Sequence, residues 1–407
     1  MSPAPRAAAL LAACAALAAL AGPLPGAAAA VAVLTATVLD AVAARRPPAV
    51  ERRVAPVLAR GVAAPLVLAA DAPSVLLRQP LPPDVDAGRR VARQRLETEL
   101  VPWRRGRHRL PAPVARRDGP LGLGRWDHRP GAGQELLVYP DFPAARRLAQ
   151  AVRQGRLREA GRVTRGPLGL GTDFESIRDY LPDDDIRQVN WPATQRMGRP
   201  MSNQYRVEQD REVVLLVDAG RLMAAPLGDA TRLDVAIDAA TAVALVADEV
   251  GDRCGVVGFD AAIRRRLPPR RAGGGAIVRA LFDLEPSSVE ADYELAFRTV
   301  EAGKRSLVVL FSDLLEEAAA RSLLDAVPVL ARRHLVVAAS AADPDLEARA
   351  AGEDPWAAAV AREVLAARER VAARLRRAGA LVVEAPAPAL GRACVRAYLR
   401  AKARGRL

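Results

Sequence analysis

Short, almost wholly apolar runs recur between residues 212 and 384, and longer segments with an apolar stripe separate them. The first three runs cover residues 212–217, 253–259 and 306–311. Because each run lacks the alternation of a half-exposed strand, both of its faces should be buried. Strands of this kind that alternate with helices predict a doubly wound, mainly parallel sheet, whose functional edge lies at the carboxyl ends of the strands.

Helices are predicted between these strands, and two more strands complete the pattern. The helices cover residues 233–250, 276–284, 293–302, 318–331, 355–378 and 390–403, and the strands cover residues 334–340 and 381–384. The pattern therefore assigns residues 209–407 to one α/β domain.

The first 45 residues contain two apolar runs separated by a Gly-Pro-Leu-Pro-Gly turn at residues 22–26. They predict a membrane hairpin of two helices, although each run is shorter than the roughly 20 residues of a usual span. Arg6 precedes the hairpin and several arginines follow it, so the positive-inside rule places both flanks and the body of the protein in the cytoplasm. The alternative is a cleaved signal peptide with an Ala-x-Ala site at residues 19–21.

Two further regions precede the α/β domain. Residues 46–142 contain short β-prone runs bounded by Pro, Gly and Asp, which predict a small β-sandwich. Residues 143–170 predict a basic helical linker that ends in a Gly-rich stretch. His108 and His128 have no neighbours at metal-ligand spacing, so we interpret them as surface or turn residues.

The net charge of +13 comes almost entirely from arginine, since Lys304 and Lys402 are the only lysines. Aromatic residues make up 4% of the chain and do not interleave with a basic patch, so a solvated or membrane-facing surface is favoured over nucleic-acid binding. Cys14, Cys254 and Cys394 stand far apart without a Cys-x-x-Cys motif, which predicts free thiols in a reducing compartment.

Residues 171–208 form a dense polar segment that leads directly into the strand at residues 212–217. Pro182 fixes its own φ and three carboxylates follow it, so a helix should begin there with an acidic first turn. Neighbouring arginines match these acids in number. Trp191, followed by Pro192, should end the helix and offer an amphipathic anchor, and the whole segment should be pinned against the sheet that it precedes.

We interpret this central segment as a recognition element, because no nucleophile stands in a suitable arrangement with its acids and because acids matched by arginines are typical of an ion-pair network. The candidate interaction residues are Arg178, Tyr180, Asp183, Asp184, Asp185, Arg187, Trp191, Arg206 and Glu208. No catalytic residue is assigned.

The central segment and the strand that ends at Asp218 resemble the DUF58 family, bacterial membrane proteins with a von Willebrand A-like domain. The resemblance extends upstream to an Arg-rich and Gly-rich stretch at residues 104–126 and downstream to residues 251–260. It implies a binding or assembly role at the inner membrane without catalysis, commonly alongside a MoxR-type AAA+ ATPase and a client protein that the sequence does not name.

The resemblance also implies where a metal ion would bind. Von Willebrand A-like domains supply hard oxygen ligands from an Asp-x-Ser-x-Ser motif, a Thr and a second Asp. Asp218 and Asp313 match the two carboxylates, but Gly220, Leu222 and Ala291 replace the hydroxyl donors. The site is therefore interpreted as degenerate, without a cofactor, and Mg²⁺ or Ca²⁺ is disfavoured.

In place of a metal, Asp218 is expected to pair with Arg221 or to cap a helix. Two alternatives from other functional classes remain open. One is a metal-dependent hydrolase centred on the acidic turn at residues 183–185. The other is a cation-dependent adhesion module outside the cell, which requires both the signal peptide and an intact metal site.

Overall fold

A computed structural model of the chain describes residues 1–72, 74–155, 173–181, 189–206, 211–301, 304–313 and 321–403. The chain divides into two units, Met1–Tyr139 and Pro140–Leu407. The first unit has two N-terminal helices followed by β-structure, and the second combines helices with a large sheet. The predicted α/β class is confirmed at this level.

Two consecutive helices, α1 (Pro5–Ala21) and α2 (Pro23–Ala43), lie near the start of the first unit. Gly22 joins them with a φ of 99°, a backbone conformation that favours glycine. Gly26 packs so closely on Ala18 that a Cβ at position 26 would lie 2.3 Å from the Ala18 Cβ. Among the described residues, α2 is the helix that is long and apolar enough to cross a membrane.

The rest of the first unit consists of short strands. They are β1 (Ser2–Pro3), β2 (Val50–Val54), β3 (Val57–Ala59), β4 (Ala64–Ala70), β5 (Val75–Arg78), β6 (Val85–Ala87), β7 (Val91–Arg93), β8 (Arg95–Pro102), β9 (Gly106–Leu110), β10 (Val114–Asp118), β11 (Gly124–His128) and β12 (Gln134–Tyr139). They form three sheets with the orders β1-β11-β10-β5-β7, β2-β4-β8-β6 and β3-β12-β9. Every pairing is antiparallel except that of β3 with β12.

Leucines that alternate along β4 and β8 fill two small cores in this unit. Leu66 and Leu100 belong to one core, and Leu68 and Leu96 belong to the other. In both strands the buried leucines alternate with more exposed residues, as in strands with one buried face. The prediction for His128 is wrong, because this side chain is buried and its Nε2 lies 3.0 Å from the carbonyl oxygen of Ala44.

The second unit contains the following elements. The strands are β13 (Asp173–Asp179), β14 (Met201–Arg206), β15 (Glu212–Asp218), β16 (Pro226–Leu227), β17 (Ala230–Thr231), β18 (Arg253–Phe259), β19 (Ile263–Arg270), β20 (Ser306–Phe311), β21 (Leu335–Ala342) and β22 (Leu381–Pro386). The helices are α3 (Phe142–Arg153), α4 (Trp191–Met197), α5 (Arg232–Glu249), α6 (Gly274–Leu281), α7 (Tyr293–Glu301), α8 (Arg321–Ala331), α9 (Pro344–Ala350), α10 (Pro355–Arg377) and α11 (Ala387–Ala403).

Six of these strands form the large sheet, in the order β19-β18-β15-β20-β21-β22. All neighbours are parallel except β19, which pairs antiparallel with β18 at one edge. In the central strand β15, Val213, Leu215 and Val217 point to one face, and Val214 and Leu216 point to the other. Both faces are buried, as a run without polar alternation predicts.

Helices cover the two faces of the sheet. Side chains of α3, α5, α6 and α11 pack on one face, and side chains of α7, α8 and α10 pack on the other. Ala145 and Ala149 of α3, which lie in the predicted linker, belong to the first of these cores. The backbone N–H of Asp141 also donates to Asp238 of α5 at 2.9 Å, so this helix is part of the second unit.

Strand β19 was not predicted, because its sequence reads as a surface run of arginines. Its side chains alternate between half-buried and exposed, and the arginines at positions 264, 266 and 270 take the exposed face. Gly255 of β18 allows the close approach, since a Cβ there would lie 2.6 Å from the backbone nitrogen of Pro269. Proline is tolerated here because the strand lies at the edge of the sheet.

We expect Leu215→Ala to lower the free energy of unfolding by about 2–5 kcal/mol, because this buried side chain of the central strand leaves a cavity between the sheet and α5. Leu381→Ala, at the partly exposed edge strand β22, is the matched control and should cost less than half as much. Denaturant unfolding of the full chain in detergent, followed by circular dichroism, measures both. Equal losses would contradict the assignment of β15 as the central strand.

Candidate functional site

The carboxyl ends of β15 and β20 lie side by side in the sheet. The chain continues from β15 towards one edge of the sheet, whereas from β20 it continues towards the other. The strand order therefore reverses between these two strands, which is where open α/β sheets bind ligands. Asp218 is the last residue of β15, and Asp313 follows β20 by two residues.

Asp218 is fully engaged by hydrogen bonds within the fold. Its Oδ1 accepts from the Gly220 N–H at 2.7 Å, and its Oδ2 accepts from the Tyr293 hydroxyl at 2.8 Å and from the Ser312 hydroxyl at 2.7 Å. The carboxyl group is buried, and this burial raises its pKa above the ordinary value. The expected pairing with Arg221 is wrong, because that side chain turns outwards to Glu290, 3.5 Å away.

Asp313 lies between two buried guanidinium groups. Its Oδ2 is 3.1 Å from Nε of Arg232, and its Oδ1 is 3.3 Å from Nη2 of Arg368. Arg232 also reaches Asp343 at 2.9 Å, and Arg368 donates to the Ser340 hydroxyl at 3.2 Å. Two cations supplied by α5 and α10 thus neutralise the carboxylates at this edge of the sheet.

This arrangement leaves few oxygen atoms for a metal ion. Gly220 has no side-chain oxygen and donates its N–H to Asp218. Ala291, which stands where the family pattern has Thr, packs against Gly220, since a Cβ on Gly220 would lie 3.0 Å from the Ala291 backbone nitrogen. In the part of the chain that the structure describes, no group of three or more His, Cys, Asp or Glu side chains could hold a metal. A hard cation such as Mg²⁺ or Ca²⁺ prefers six or more oxygen ligands.

The cysteines do not offer a nucleophile in the described structure. All three are free and buried. Burial raises the pKa of the Cys394 thiol to about 12 and that of Cys254 still further. Because the thiolate is the reactive form, the Cys254 and Cys394 thiols are inert at neutral pH.

The structure describes only part of the predicted interaction segment. Arg178, Tyr180 and Trp191 are described, and of Arg206 the backbone alone is described. The other predicted interaction residues, Asp183, Asp184, Asp185, Arg187 and Glu208, lie outside the described residues, as does the predicted acidic helix start.

Strands β13 and β14 pair antiparallel as a two-stranded ribbon next to α4. The backbone N–H of Tyr180 donates to Pro200 at 2.9 Å, and Arg199 forms an ion pair with Asp179 at 3.2 Å. None of the described residues of this ribbon and helix belongs to either core that flanks the large sheet. Met201 and Ser202 are buried, and the prediction that the segment is pinned against the sheet stays a prediction.

Trp191 begins helix α4 instead of ending a helix. Asn190 caps it by accepting the Ala193 N–H at 2.9 Å, and Pro192 is accommodated in the first turn, where its missing N–H would have no helical partner. Gly198, with a φ of 66°, ends the helix. The prediction that Trp191 terminates a helix is wrong for this reason, and its indole is 68% exposed.

Sequence reasoning missed the residues that close the carboxyl edge of the sheet. Arg368 sits in the middle of a long helix rich in Ala and Arg, where nothing distinguishes it from its exposed neighbours. Arg232 follows the capping residue Thr231, a position where a surface arginine is common. Tyr293 could have been found from the sequence, because it lies two residues after Ala291, the position at which the family pattern has Thr.

We expect Asp218→Asn to be tolerated. Burial raises the pKa of Asp218, so the folded state holds this proton more tightly than the unfolded chain does. The stability that the group contributes is complete below its ordinary pKa of 3.8 and is lost as the pH rises through the folded-state value. The amide lacks this titration, so its free energy of unfolding at pH 7 should equal or exceed that of the wild type.

Asp218→Ala is the control, because it removes the acceptor of two buried hydroxyl groups and should cost about 1–3 kcal/mol. Unfolding free energies of both variants from pH 3 to pH 8 provide the measurement. A loss in the Asn variant as large as in the Ala variant would show that the negative charge itself is needed.

Residues 176–353 match the family described as "Protein of unknown function DUF58". The chain is also similar to uncharacterised proteins of Mycobacterium bovis and Mycobacterium tuberculosis, each 26% identical over 182 residues, which cover 43% of this chain and 56% of the relative. The chain thus spans about half the length of the curated relatives that it matches.

A GH5 xyloglucanase of Bacteroides ovatus, solved in complex with a XXXG heptasaccharide, aligns with 82% of this chain and 65% of its own at 8% identity. Its TM-score of 0.17 is too low to carry an argument about the fold. The sequence match stands independently of this alignment. Residues 176–353 are therefore a DUF58 region, which supports the family resemblance.

Proposed function

We propose that this protein is a membrane-anchored scaffold that binds and assembles other proteins and has no catalytic activity of its own. The observation that carries the proposal is that one small substructure exposes several large apolar side chains. Ile177 and Leu181 lie on or next to β13, and Trp191 and Met197 lie on α4. Exposed aromatic and methionine side chains of this kind are typical of protein interfaces.

Charge accompanies these apolar side chains. Arg178 and the ion pair of Arg199 with Asp179 lie on the same ribbon. Polar groups around an apolar centre give an interface its specificity and its rate of association. This combination supports recognition of a protein surface over binding of a small molecule.

Absence of catalysis and of a cofactor is the second part of the proposal. It is supported by the bonding at the carboxyl edge of the sheet. Tyr293 and Ser312 donate hydrogen bonds to Asp218, and Arg232 and Arg368 form ion pairs with Asp313. The alternative of a hydrolase rests on the acidic turn at residues 183–185, which lies outside the described residues. The adhesion alternative requires a metal site, and the donors that such a site needs are replaced here.

The finer architecture is also proposed. A central strand flanked by parallel neighbours, one antiparallel edge strand and helices on both faces support a von Willebrand A-like domain. For the first unit we propose a β-sandwich carried on a helical hairpin in the inner membrane, with the body of the protein in the cytoplasm. The length of α2 and the arginines that flank the two helices support this topology.

The proposed partners are a MoxR-type AAA+ ATPase and a client protein, with no role for nucleic acid. The ATPase is inferred from the family resemblance alone, and the described ribbon and α4 are the surface that we expect it or the client to contact.

Trp191→Ala should strongly reduce capture of the partner while leaving the fold intact. The indole is largely exposed, so its removal should change the free energy of unfolding by about 0.5 kcal/mol or less. Loss of an aromatic anchor at the centre of an interface typically costs at least about 2 kcal/mol of binding, a reduction of roughly thirtyfold or more. Co-purification with a co-expressed MoxR-type ATPase measures capture, and thermal melts measure folding.

Trp356→Ala is the matched control, because this indole is 82% exposed and also lies in the first turn of a helix in the same unit. It should leave capture unchanged. Equal capture by the two variants, at wild-type level, would contradict the assignment of the ribbon and α4 as the recognition surface.

Millimolar Mg²⁺ or Ca²⁺ should not change the melting temperature of the chain. A ligand that binds the folded state stabilises it by an amount that grows with its concentration above the dissociation constant. Melts of protein freed of metal by chelation, recorded over a titration of each cation, provide the measurement. Saturable stabilisation that Asp313→Asn abolishes would contradict the proposal and restore the hydrolase and adhesion alternatives.

A further inference from the structure

Both ends of the N-terminal helix pair are tied to the same strand of the first unit. At the start of α1, Ser2 and Pro3 pair with Arg125 and Gly124 of β11. The backbone N–H of Ala4 adds a bond of 2.7 Å to the carbonyl oxygen of residue 123. The chain therefore enters the helix pair at the turn between β10 and β11.

The end of α2 returns to the same turn. Both carboxylate oxygens of the buried Asp40 accept backbone N–H groups there, at 2.8 Å from Leu121, 2.7 Å from Leu123 and 2.9 Å from Gly124. A Cβ at position 124 would lie 2.5 Å from the carbonyl oxygen of Thr37, so the last turns of α2 lie directly on the strand. This part of α2 is occupied by protein and is not available to lipid.

The portion of the helix pair that projects from this base is short. Residues 23–36 of α2 precede the docked turns, and at 1.5 Å per residue they extend about 21 Å, whereas the 17 residues of α1 extend about 25 Å. The hydrocarbon core of a bilayer is about 30 Å thick. A pair of helices with both ends at one surface and an arm of this length does not reach the opposite surface.

The tip of the pair is suited to a water-free environment. Leu20 and Leu24 are 89% and 83% exposed, and residues 7–39 include no charged residue, Trp or Tyr that would anchor the tip at a far interface. Almost all backbone N–H groups at the start of α2 are either absent, because the residue is proline, or hydrogen-bonded within the protein. Gly22 donates to Ala18 at 3.1 Å, and the prolines at positions 23 and 25 carry no N–H.

Close to the base, the two hydroxyl side chains of the apolar stretch are also satisfied. The hydroxyls of Thr35 and Thr37 donate to the carbonyl oxygens of Val31 and Val33, at 2.9 Å and 2.7 Å. Residues 7–39 carry no charge, and Arg6 and Arg45 mark the two ends of the pair. Basic residues at the base match the anionic headgroups of a bacterial membrane surface.

We infer that α1 and α2 form a re-entrant hairpin, which inserts into the acyl chains of one leaflet and ends within the hydrocarbon core without crossing the membrane. The inference rests on the membrane anchoring proposed above and specifies its form. The exposed surface of the hairpin contacts lipid. Anionic headgroups lie at the arginines of the base, and acyl chains surround the exposed leucines of the tip. The docked base makes the first unit lie directly on the membrane surface.

The test uses the full chain in sealed membrane vesicles of both orientations. Leu24→Cys places a thiol at the tip, and Arg46→Cys places a matched thiol at the base, where the side chain is exposed. The buried native cysteines make the wild type a blank for labelling. A membrane-impermeant maleimide should label the base thiol from one side only and the tip thiol from neither side, with labelling at least about tenfold higher after detergent is added.

A second variant measures depth. Leu24→Trp, in liposomes of phosphatidylethanolamine and phosphatidylglycerol, should be quenched more by a nitroxide near the end of the acyl chain than by one near the headgroup. Labelling of the tip thiol from the side opposite to the base thiol would overturn the inference and leave membrane anchoring intact. Labelling of both thiols from the same side, with release of the protein by alkaline carbonate, would overturn both.

Discussion

Burial of β15 on both of its faces is the constraint from which the rest of the second unit follows. A strand of Val and Leu without a polar face cannot lie at a surface, so helices must cover the sheet on both sides. The chain satisfies this requirement with an Ala-rich helix, α5, whose small side chains lie in the core almost all round. Small side chains allow helix and sheet to approach closely.

The same burial determines the chemistry of the carboxyl edge. A carboxylate at the end of a buried strand must be compensated, either by a metal ion or by groups of the protein. Here Asp218 is compensated by hydroxyl and N–H donors, and Asp313 by the guanidinium groups of α5 and α10. Arg368 belongs to α10, whose apolar side chains pack on one face of the large sheet. This arginine therefore couples the charge balance at the carboxyl edge to the packing of α10 on that face.

The sequence was most informative where burial is periodic. The strands at residues 212–217, 253–259 and 306–311 and the helices between them could be predicted, because an apolar run or stripe depends on local pattern alone. Strand β19 could not be predicted, because its arginines make the sequence look like an exposed surface run although its side chains alternate in burial. Its pairing with β18 also depends on the absence of a side chain at Gly255. The hydrogen-bond and ion-pair partners of Asp218 and Asp313 could not be predicted, because they lie far from these residues in the sequence. Arg368, for example, contacts Asp313 only in the folded chain.

The ribbon of β13 and β14 with α4 illustrates why the proposed recognition can be separated from stability in this chain. A two-stranded ribbon is marginally stable alone, and this one contributes nothing to the described cores of the sheet. Local bonds hold it instead, since Asn190 both caps α4 and donates to Asn203 at 2.7 Å, and the Thr194 hydroxyl accepts from the Met201 N–H at 2.9 Å. Because these bonds are backbone caps and polar pairs, the exposed apolar side chains carry little of the folding energy. Their surface can therefore change with the proposed partner while the large sheet keeps its structure.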